Sequence, residues 1–276
     1  MPLPHDFPIA SYPKRPISDE TIPLMRMSDD NADLERQLRR QFLWLKDSWY
    51  WIVENEILRN EPKGIGTLAL DVGCGPGFVM EALRPILQPK GVDSDRDMVL
   101  ACRSRGLDAV EGSAESLPFE DGSFDLVYCT FLLLWLREPG LAVAEMARVS
   151  KKWVACLAEP DFGGRLSHPR ELESLDPLIE EGIRKEGGDP FIGRKLRSVF
   201  KSCGLEAKVG VHPGVWDIER LRAESEDEWK WVEMTTRMGR EGSSLVKARV
   251  AWEASLRDRT LFQFNPIFYA VARKRG

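Results

Sequence analysis

The sequence predicts an α/β fold, in which helices cover a doubly wound, seven-stranded and mostly parallel sheet that carries helical N-terminal and C-terminal additions. Three observations support this prediction. A short apolar run at 67–72 ends in a glycine-rich turn, strand-like and helix-like segments then alternate, and an aspartate ends the next strand about twenty residues after the turn. A chain of 276 residues is long enough to bury such a core.

The N-terminal part, residues 1–62, is predicted to be an extended arm followed by a helical lid. The arm is rich in proline, which removes backbone donors and resists helix. From Asp29 to about Asn60, apolar side chains recur every three or four residues, which predicts a helix. Its aromatic stripe includes Trp44 and Trp51, and we expect it to exclude water from an apolar pocket. The alternative is that this stripe only packs on an edge of the sheet.

The central domain is predicted at residues 63–213 and 261–276, interrupted by a helical insertion at 214–260. Alternating strands and helices predict its parallel sheet, and only the stretch at 164–188 does not follow the alternation. The predicted strands lie at 67–72, 91–93, 108–112, 124–129, 153–159, 205–212 and 268–274. The predicted helices lie at 78–87, 95–105, 140–149 and 191–203.

The composition excludes several classes of protein. Charged residues at 30% and hydrophobic residues at 43% are typical of a globular protein rather than a disordered or fibrous one. The net charge of −5 disfavours a nucleic-acid partner, because such proteins usually present a strongly basic face. The five cysteines lack metal-ligand spacing, so no metal is expected. Without a secretory pattern or a membrane-spanning segment, the predicted location is the cytoplasm.

The segment LALDVGCGPGF is the first candidate binding site. Asp71 ends a strand, and Gly73, Cys74, Gly75 and Gly77 form a turn before a helix, so that the backbone can bend tightly beneath a ligand. Proteins that bind NAD use a similar turn for a pyrophosphate. Asp71 disfavours that ligand, because a carboxylate repels phosphate but attracts the ammonium and sulfonium groups of S-adenosylmethionine. An NAD-dependent oxidoreductase remains an alternative.

Two further strand ends supply candidate cofactor contacts. Asp93 and Ser94 end the second strand, where a carboxylate can accept hydrogen bonds from both ribose hydroxyls. Met98 follows by about one helical turn and can pack on adenine, although a helical methionine ordinarily fills a core. Ser113 and Ala114 end the third strand and can meet the adenine edge.

Four segments stand out along this part of the chain: DVGCGPG, GVDSD, EGSAESLPFEDGSFDLV and YCTFLLLWL. Together they resemble a class I methyltransferase of the UbiE/COQ5-like group. The resemblance covers about residues 65–160. It implies a Rossmann-like domain that binds S-adenosyl-L-methionine and releases S-adenosyl-L-homocysteine. The cofactor contacts that it implies are Asp71, Gly73, Gly75 and Asp93, with Ser113 and Ala114 at adenine and Cys129 under the methionine end.

Some positions depart from the pattern of that group. Ser113 stands where the group usually has an aspartate, so the hydrogen bond to the adenine amino group could come from Glu115. Leu134 and Trp135 replace the frequent paired histidines, which leaves the catalytic residue unknown. A dedicated base is not required, because the cofactor carries an activated methyl group and the protein mainly aligns the reacting atoms. The tetrapeptide NPIF at 265–268 resembles the signature of exocyclic-amine methyltransferases, but that signature belongs after the fourth strand.

The candidate substrate contacts are Trp44, Trp51, Phe131, Glu159 and Asp161. The last three follow the fourth and fifth strands, where open α/β sheets bind ligands. Aromatic additions and an acidic charge favour a small, partly apolar molecule as the substrate. A protein or RNA substrate is the alternative, and it would favour an open groove lined by Arg36, Arg39, Arg40 and Lys46. Another alternative is a protein that binds the cofactor without catalysis, and the sequence leaves the oligomeric state open.

Overall fold

The computed structural model describes residues 29–61, 66–212, 217–236 and 242–274. Its main sheet has seven strands: β1 (Thr67–Val72), β2 (Leu87–Asp93), β3 (Asp108–Glu111), β4 (Phe124–Thr130), β5 (Ser150–Pro160), β7 (Ala207–Val211) and β9 (Ile267–Arg273). Two short strands, β6 (Leu166–His168) and β8 (Phe262–Phe264), pair antiparallel to each other. The predicted N-terminal arm lies outside the described residues.

The strand order of the main sheet is β3-β2-β1-β4-β5-β9-β7. Strands β1 to β5 pair in parallel, and β9 runs antiparallel to both β5 and β7. The predicted seven-stranded and mostly parallel sheet is therefore confirmed. The order reverses between β1 and β4, which is where open sheets of this type bind their ligands.

Nine helices surround this sheet in the described part of the chain: α1 (Asp29–Ile52), α2 (Phe78–Leu83), α3 (Arg96–Ser104), α4 (Pro139–Val149), α5 (Asp176–Lys185), α6 (Ile192–Ser202), α7 (Ile218–Ala223), α8 (Ser225–Thr236) and α9 (Gly242–Arg257). The first continues as a π-helical turn at Val53–Ile57 and a 3₁₀ turn at Leu58–Asn60. None of the described helices combines the length and the apolar character that crossing a bilayer requires.

Apolar packing joins these helices to both faces of the sheet. On one face, Trp49 and Ile52 of α1 pack with Tyr128 of β4 in a buried cluster. On the other face, Met146 of α4 and Phe200 of α6 pack in a second cluster. Since α1 is part of the main core, it is more than a detachable cover, and its role as a lid stays a prediction.

The boundary between α2 and β2 differs from the prediction. The helix ends at Leu83 rather than at position 87, and β2 begins at Leu87 rather than at position 91. Pro85 explains the early end, because proline has no backbone N–H and cannot continue the hydrogen bonds of the helix. Pro89 is tolerated in β2 because β3 begins to pair only at Lys90.

The additions form a helical unit with a core of its own. Ile179 and Ile183 of α5 pack with Trp229 of α8 and Trp252 of α9 in a buried cluster. The stretch at 164–188, which did not follow the alternation, therefore packs against the described helices of the predicted insertion at 214–260. Two segments far apart in the chain thus build one unit beside the carboxyl edge of the sheet.

Candidate active site

Two cavities lie at the carboxyl edge of the parallel strands. The first has a volume of about 540 Å³ and lies over the glycine turn. Its walls come from the ends of β1, β2, β3 and β4, together with Leu38, Gln41 and Trp49 of α1. The predicted site residues that line it are Gly73, Cys74, Gly75, Asp93, Ser94, Met98, Ser113, Ala114 and Phe131. The structure thus brings three predicted strand ends and the candidate Phe131 to one space.

The glycine turn shapes the floor of the first cavity. The φ angle is 72° at Gly73, 51° at Gly75 and 87° at Gly77. Residues with a side chain rarely adopt such positive φ angles. A Cβ added to Gly75 would meet only Leu38, at 3.9 Å, so this side of the turn is open to a ligand. A Cβ added to Gly77 would lie 2.5 Å from Leu107 Cδ1. Gly77 therefore permits close packing below the turn and does not line either cavity.

Asp93 ties the glycine turn to the end of β2. Its Oδ2 accepts a hydrogen bond from the Gly75 N–H at 2.8 Å, and its Oδ1 accepts one from the Asp95 N–H at 2.9 Å. An ionised carboxylate can accept about four hydrogen bonds, so two remain for a ligand. Asp95 in turn accepts from the N–H groups of Asp97 and Met98 and begins α3. The carboxylate of Asp93 is therefore held in position at the cavity wall.

Asp71 and Cys129 lie beneath the first cavity rather than in its wall. Asp71 is buried, its carboxyl oxygens have no hydrogen-bond partner among the described residues, and the nearby Tyr128 hydroxyl also lacks one. Burial raises the pKa of Asp71 well above its usual range. Asp71 lines neither cavity, and its contact with a ligand's ammonium group stays a prediction. Cys129 is fully buried in the sheet core.

Thr130 is a cavity residue that sequence reasoning missed. It lines the first cavity, and its buried Oγ1 has no hydrogen-bond partner in the described part of the chain. The neighbouring Cys129 was the predicted contact. Successive side chains of a strand point to opposite faces, so Thr130 lines the cavity and Cys129 does not. The register of β4 against β1, where Cys129 pairs with Val72, is the signal that could have found it.

Phe131 lies at the junction of the two cavities and lines both. Its φ angle of 52° is rare for a residue with a bulky side chain. The backbone N–H of Phe131 donates to the Ala158 carbonyl at 2.8 Å, which anchors this turn to β5. A backbone conformation of this kind is typical of residues whose position a binding site requires.

The structure corrects the predicted role of Glu159. This residue is fully buried and lines neither cavity. Its Oε1 accepts hydrogen bonds from the N–H groups of Leu132 and Leu133 at 2.9 and 2.7 Å, and its Oε2 accepts from Leu134 at 3.3 Å. Burial raises the pKa of this carboxyl to about 8, while the three N–H donors act to lower it. Glu159 therefore fixes the loop after β4 and does not face a substrate.

The second cavity has a volume of about 340 Å³ and adjoins the first along a shared wall. Residues common to both are Leu38, Gln41, Phe131 and Trp135. Of the predicted substrate contacts, Trp44 and Asp161 line this second cavity. Trp51 does not, because it lies two helical turns further along α1, about 10 Å away, and is exposed.

Aromatic side chains from distant segments form the walls of the second cavity. Trp231 of α8 stacks on Phe162, with ring centroids 5.9 Å apart and an angle of 19° between the planes. The guanidinium of Arg40 lies over the ring of Trp44, 4.6 Å from its centroid. Asn265 and Pro266, from the tetrapeptide that the sequence analysis set aside, also line this cavity. The additions therefore build most of it.

Residues 70–156 match the methyltransferase domain family. Over this stretch, which is about a third of the chain, the sequence is similar to a methyltransferase domain. This match covers the strand ends that line the first cavity, and it excludes α1 and the additions. The resemblance stated from the sequence is thereby confirmed.

Relatives of this methyltransferase domain agree with the match. The methyltransferase YcgJ of Bacillus subtilis is 38% identical over 122 residues, which cover 41% of this chain and 44% of that protein. A demethylmenaquinone methyltransferase of Bacillus licheniformis is 29% identical over 187 residues, which cover 59% and 79%. The chain spans about half the length of several curated relatives that it matches.

A solved structure shows the same fold. The SAM-dependent methyltransferase of Thermotoga maritima has a TM-score of 0.51 and 17% sequence identity, and the comparison covers 88% of this chain and 99% of that one. The Rossmann-like methyltransferase fold is thus common to both.

Proposed function

We propose that this protein is an S-adenosylmethionine-dependent methyltransferase that acts on a small, partly apolar molecule. The observation that carries the proposal is the second cavity, which adjoins the first cavity at Phe131 and Trp135. A substrate there would have its acceptor atom beside the cofactor's methyl group. The sulfonium of the bound cofactor supplies that methyl group in an activated form.

The residues of the first cavity fit this cofactor. Gly75 leaves room for a ligand over the turn, and Asp93 keeps two acceptor positions for a ribose diol. Met98 and Ala114 offer apolar surface for adenine, while Thr130 offers a hydroxyl without a partner in the described structure. The chain's own contribution to the reaction is then alignment of the acceptor and exclusion of water.

A small substrate agrees better with the cavity than a protein or RNA does. The volume of about 340 Å³ falls within the range of small-molecule sites. The basic groove expected for a macromolecule is not assembled around Arg40, which is buried and donates to Glu228 at 2.8 Å. Neither described histidine lines a cavity, since His168 is exposed on β6 and His212 is buried. Positioning rather than a histidine base therefore supports the reaction.

Binding and transfer experiments test the proposal. Titration calorimetry with S-adenosylhomocysteine and with NAD should show binding of the first and none of the second. Binding of NAD alone would overturn the cofactor assignment. Incubation with radiolabelled S-adenosylmethionine should label a metabolite extract rather than a macromolecular fraction. Label in the macromolecular fraction would favour a protein or RNA substrate, and cofactor binding with no transfer to either would favour a non-catalytic binding protein.

A further inference from the structure

Arg165 places a buried positive charge in the wall of the second cavity. Its side chain is 2% exposed, and it lines the cavity together with Asn265 and Asp161. It does not line the first cavity. An arginine remains protonated even in such surroundings, so the charge requires partners.

The hydrogen bonds of Arg165 leave most of its donors unused. Its Nε donates to Asn265 Oδ1 at 2.9 Å. The terminal nitrogen Nη1 is fully buried and has no hydrogen-bond partner among the described residues. A guanidinium carries five N–H donors, and a buried donor without an acceptor destabilises the folded protein. The Nη1 group therefore lacks a hydrogen-bond acceptor, although Asp176 lies close enough to form an ion pair with the guanidinium.

The acidic residues around the cavity do not supply that acceptor. Asp161 accepts two hydrogen bonds from Arg194, at 2.5 and 2.7 Å, and Glu228 accepts one from Arg40 at 2.8 Å. Asp176 is nearer, but its Oδ1 lies 3.6 Å from Arg165 Nε, beyond hydrogen-bond distance. Burial raises the pKa of Asp176, while the nearby charge of Arg165 acts to lower it.

We propose that the second cavity binds a substrate with a carboxylate group, which accepts hydrogen bonds from the terminal nitrogens of Arg165. This inference rests on the proposed function and names its substrate class. The planar fork of a guanidinium matches a carboxylate, and the low dielectric of the site strengthens the pair. Trp44 and Trp231 would contact an apolar or aromatic body.

The position of Arg165 also sets the direction in which the substrate lies. The two cavities share Phe131 and Trp135, whereas Arg165 belongs to the second alone. The carboxylate is therefore the anchored end, and the acceptor atom of the methyl group lies at the opposite end, toward the junction. Arg165 is in this sense a specificity residue and does not contact the reacting atoms.

The test compares acids with their neutral amides. Protein saturated with S-adenosylhomocysteine is titrated with indole-3-acetate, 4-hydroxyphenylacetate and benzoate, and then with the corresponding primary amides. At least one acid should bind tenfold or more tightly than its amide. Arg165→Lys, which keeps the charge but loses the fork, should retain only part of this preference.

A second variant removes the charge without leaving an unpaired acid. Arg165→Gln combined with Asp176→Asn should abolish the preference while thermal unfolding shows a folded protein. The matched control is Arg249→Gln, which removes an arginine of α9 that lines neither cavity and should keep the preference.

Several outcomes would overturn the inference. They are equal binding of acids and amides, absence of binding by every acid, a preference that persists in the double variant, and tight binding of phenyl phosphate instead of the acids. Failure of S-adenosylhomocysteine to bind the unmodified protein would instead count against the proposed function. The two failures are therefore distinguishable.

Discussion

The two cavities differ in how the chain builds them. The first lies within the stretch at 70–156 that matches the methyltransferase domain family, apart from three residues of α1, and its walls are mainly loops that follow strands. The second draws on α1, the segment after β5, α8 and the start of β9, which are far apart in the sequence. Local turns thus suffice for the first cavity, whereas the second cavity needs long-range packing and buried ion pairs. Substitutions should therefore separate cofactor binding from substrate binding, except at shared supports.

Replacement of Glu159 is expected to have the largest effect and to break this separation. Glu159→Ala would leave three buried N–H groups without an acceptor, and we expect a loss of about 3 kcal/mol or more in the free energy of unfolding. Both cavities should lose ligand affinity, because the loop that includes Phe131 is common to them. Chemical denaturation and calorimetry would measure these changes.

Glu159→Gln is the matched control for that experiment. With a folded pKa of about 8 against an ordinary value of 4.5, protonated Glu159 stabilises the fold, and this contribution declines as the pH rises from 4.5 through 8. Glutamine keeps an acceptor oxygen and does not titrate, so the stability of the variant relative to the unmodified protein should improve over that range. A stable Glu159→Ala protein with both affinities intact would contradict the shared support.

Protonation of the buried His212 at low pH should destabilise the packing around the second cavity. Its Nδ1 lies 2.6 Å from Ser48 Oγ on α1, and its Nε2 lies 2.6 Å from the Leu157 carbonyl oxygen on β5. Burial lowers the pKa of His212 from 6.5 to about 4. A lowered folded pKa means that its contribution is complete above pH 6.5 and is lost as the pH falls toward 4, a change of about 3 kcal/mol.

Hydrogen exchange at pH 7 and pH 4.5, corrected for the intrinsic exchange rate at each pH, would check the effect on α1, whose amides should lose protection in acid before those of β1. The variant His212→Gln should show a smaller pH dependence of stability. Replacement of the exposed His168 by glutamine is the control and should leave the dependence unchanged. An identical pH profile for the protein and His212→Gln would exclude this residue as the cause.

Asp93→Ala sharpens the comparison on the cofactor side. The variant loses the carboxylate that holds Gly75 and, in our proposal, the ribose diol. We expect about 100-fold weaker binding of S-adenosylhomocysteine, because hydrogen bonds to a charged group each contribute about 1.5–3 kcal/mol. Asp108→Ala, which removes a surface partner of Lys90, should leave that affinity unchanged. Unaltered affinity in Asp93→Ala would remove the main support for the assignment.

Two glycines of the turn should give the smallest and most selective effects. Gly75→Ala is expected to cost about 1 kcal/mol of stability from its positive φ and to weaken cofactor binding, because the new methyl group would face the first cavity. Gly77→Ala should reduce stability by about 2 kcal/mol, since its Cβ would clash with Leu107. Thermal unfolding and calorimetry separate the two, and equal effects of both variants on affinity would refute the distinction.

The cofactor side could be predicted because its residues follow strands directly. Asp93, Ser113 and Ala114 lie where parallel strands end, and chain order alone brings such ends to one edge. Asp71 and Cys129 were misplaced relative to the cavity because the pleat decides which side chain of a strand end faces a ligand. The sequence pattern predicts the strand, but it does not show which face of that strand a cavity adjoins.

The substrate side was predicted only in part, because its contacts join distant segments. Trp44 and Asp161 were found from an aromatic stripe and a strand end. Arg165 and Asn265 were missed, since their hydrogen bond links positions 100 residues apart and neither residue stands in a recognisable local pattern. Glu159 was predicted to contact the substrate because it stands at a strand end. Its burial against the backbone of Leu132 and Leu133 depends on how the loop after β4 folds, which the local sequence does not show.

The place of β9 in the sheet has a consequence for the order of assembly on the ribosome. This strand follows β5 and β7 in the chain but lies between them, and β7 has no other neighbour in the sheet. Because synthesis proceeds from the N-terminus, β1 to β5 can pair while the remainder is still being translated. Pro266 and Ile267, which line the second cavity, arrive only with β9. A nascent chain would therefore complete the first cavity before the second.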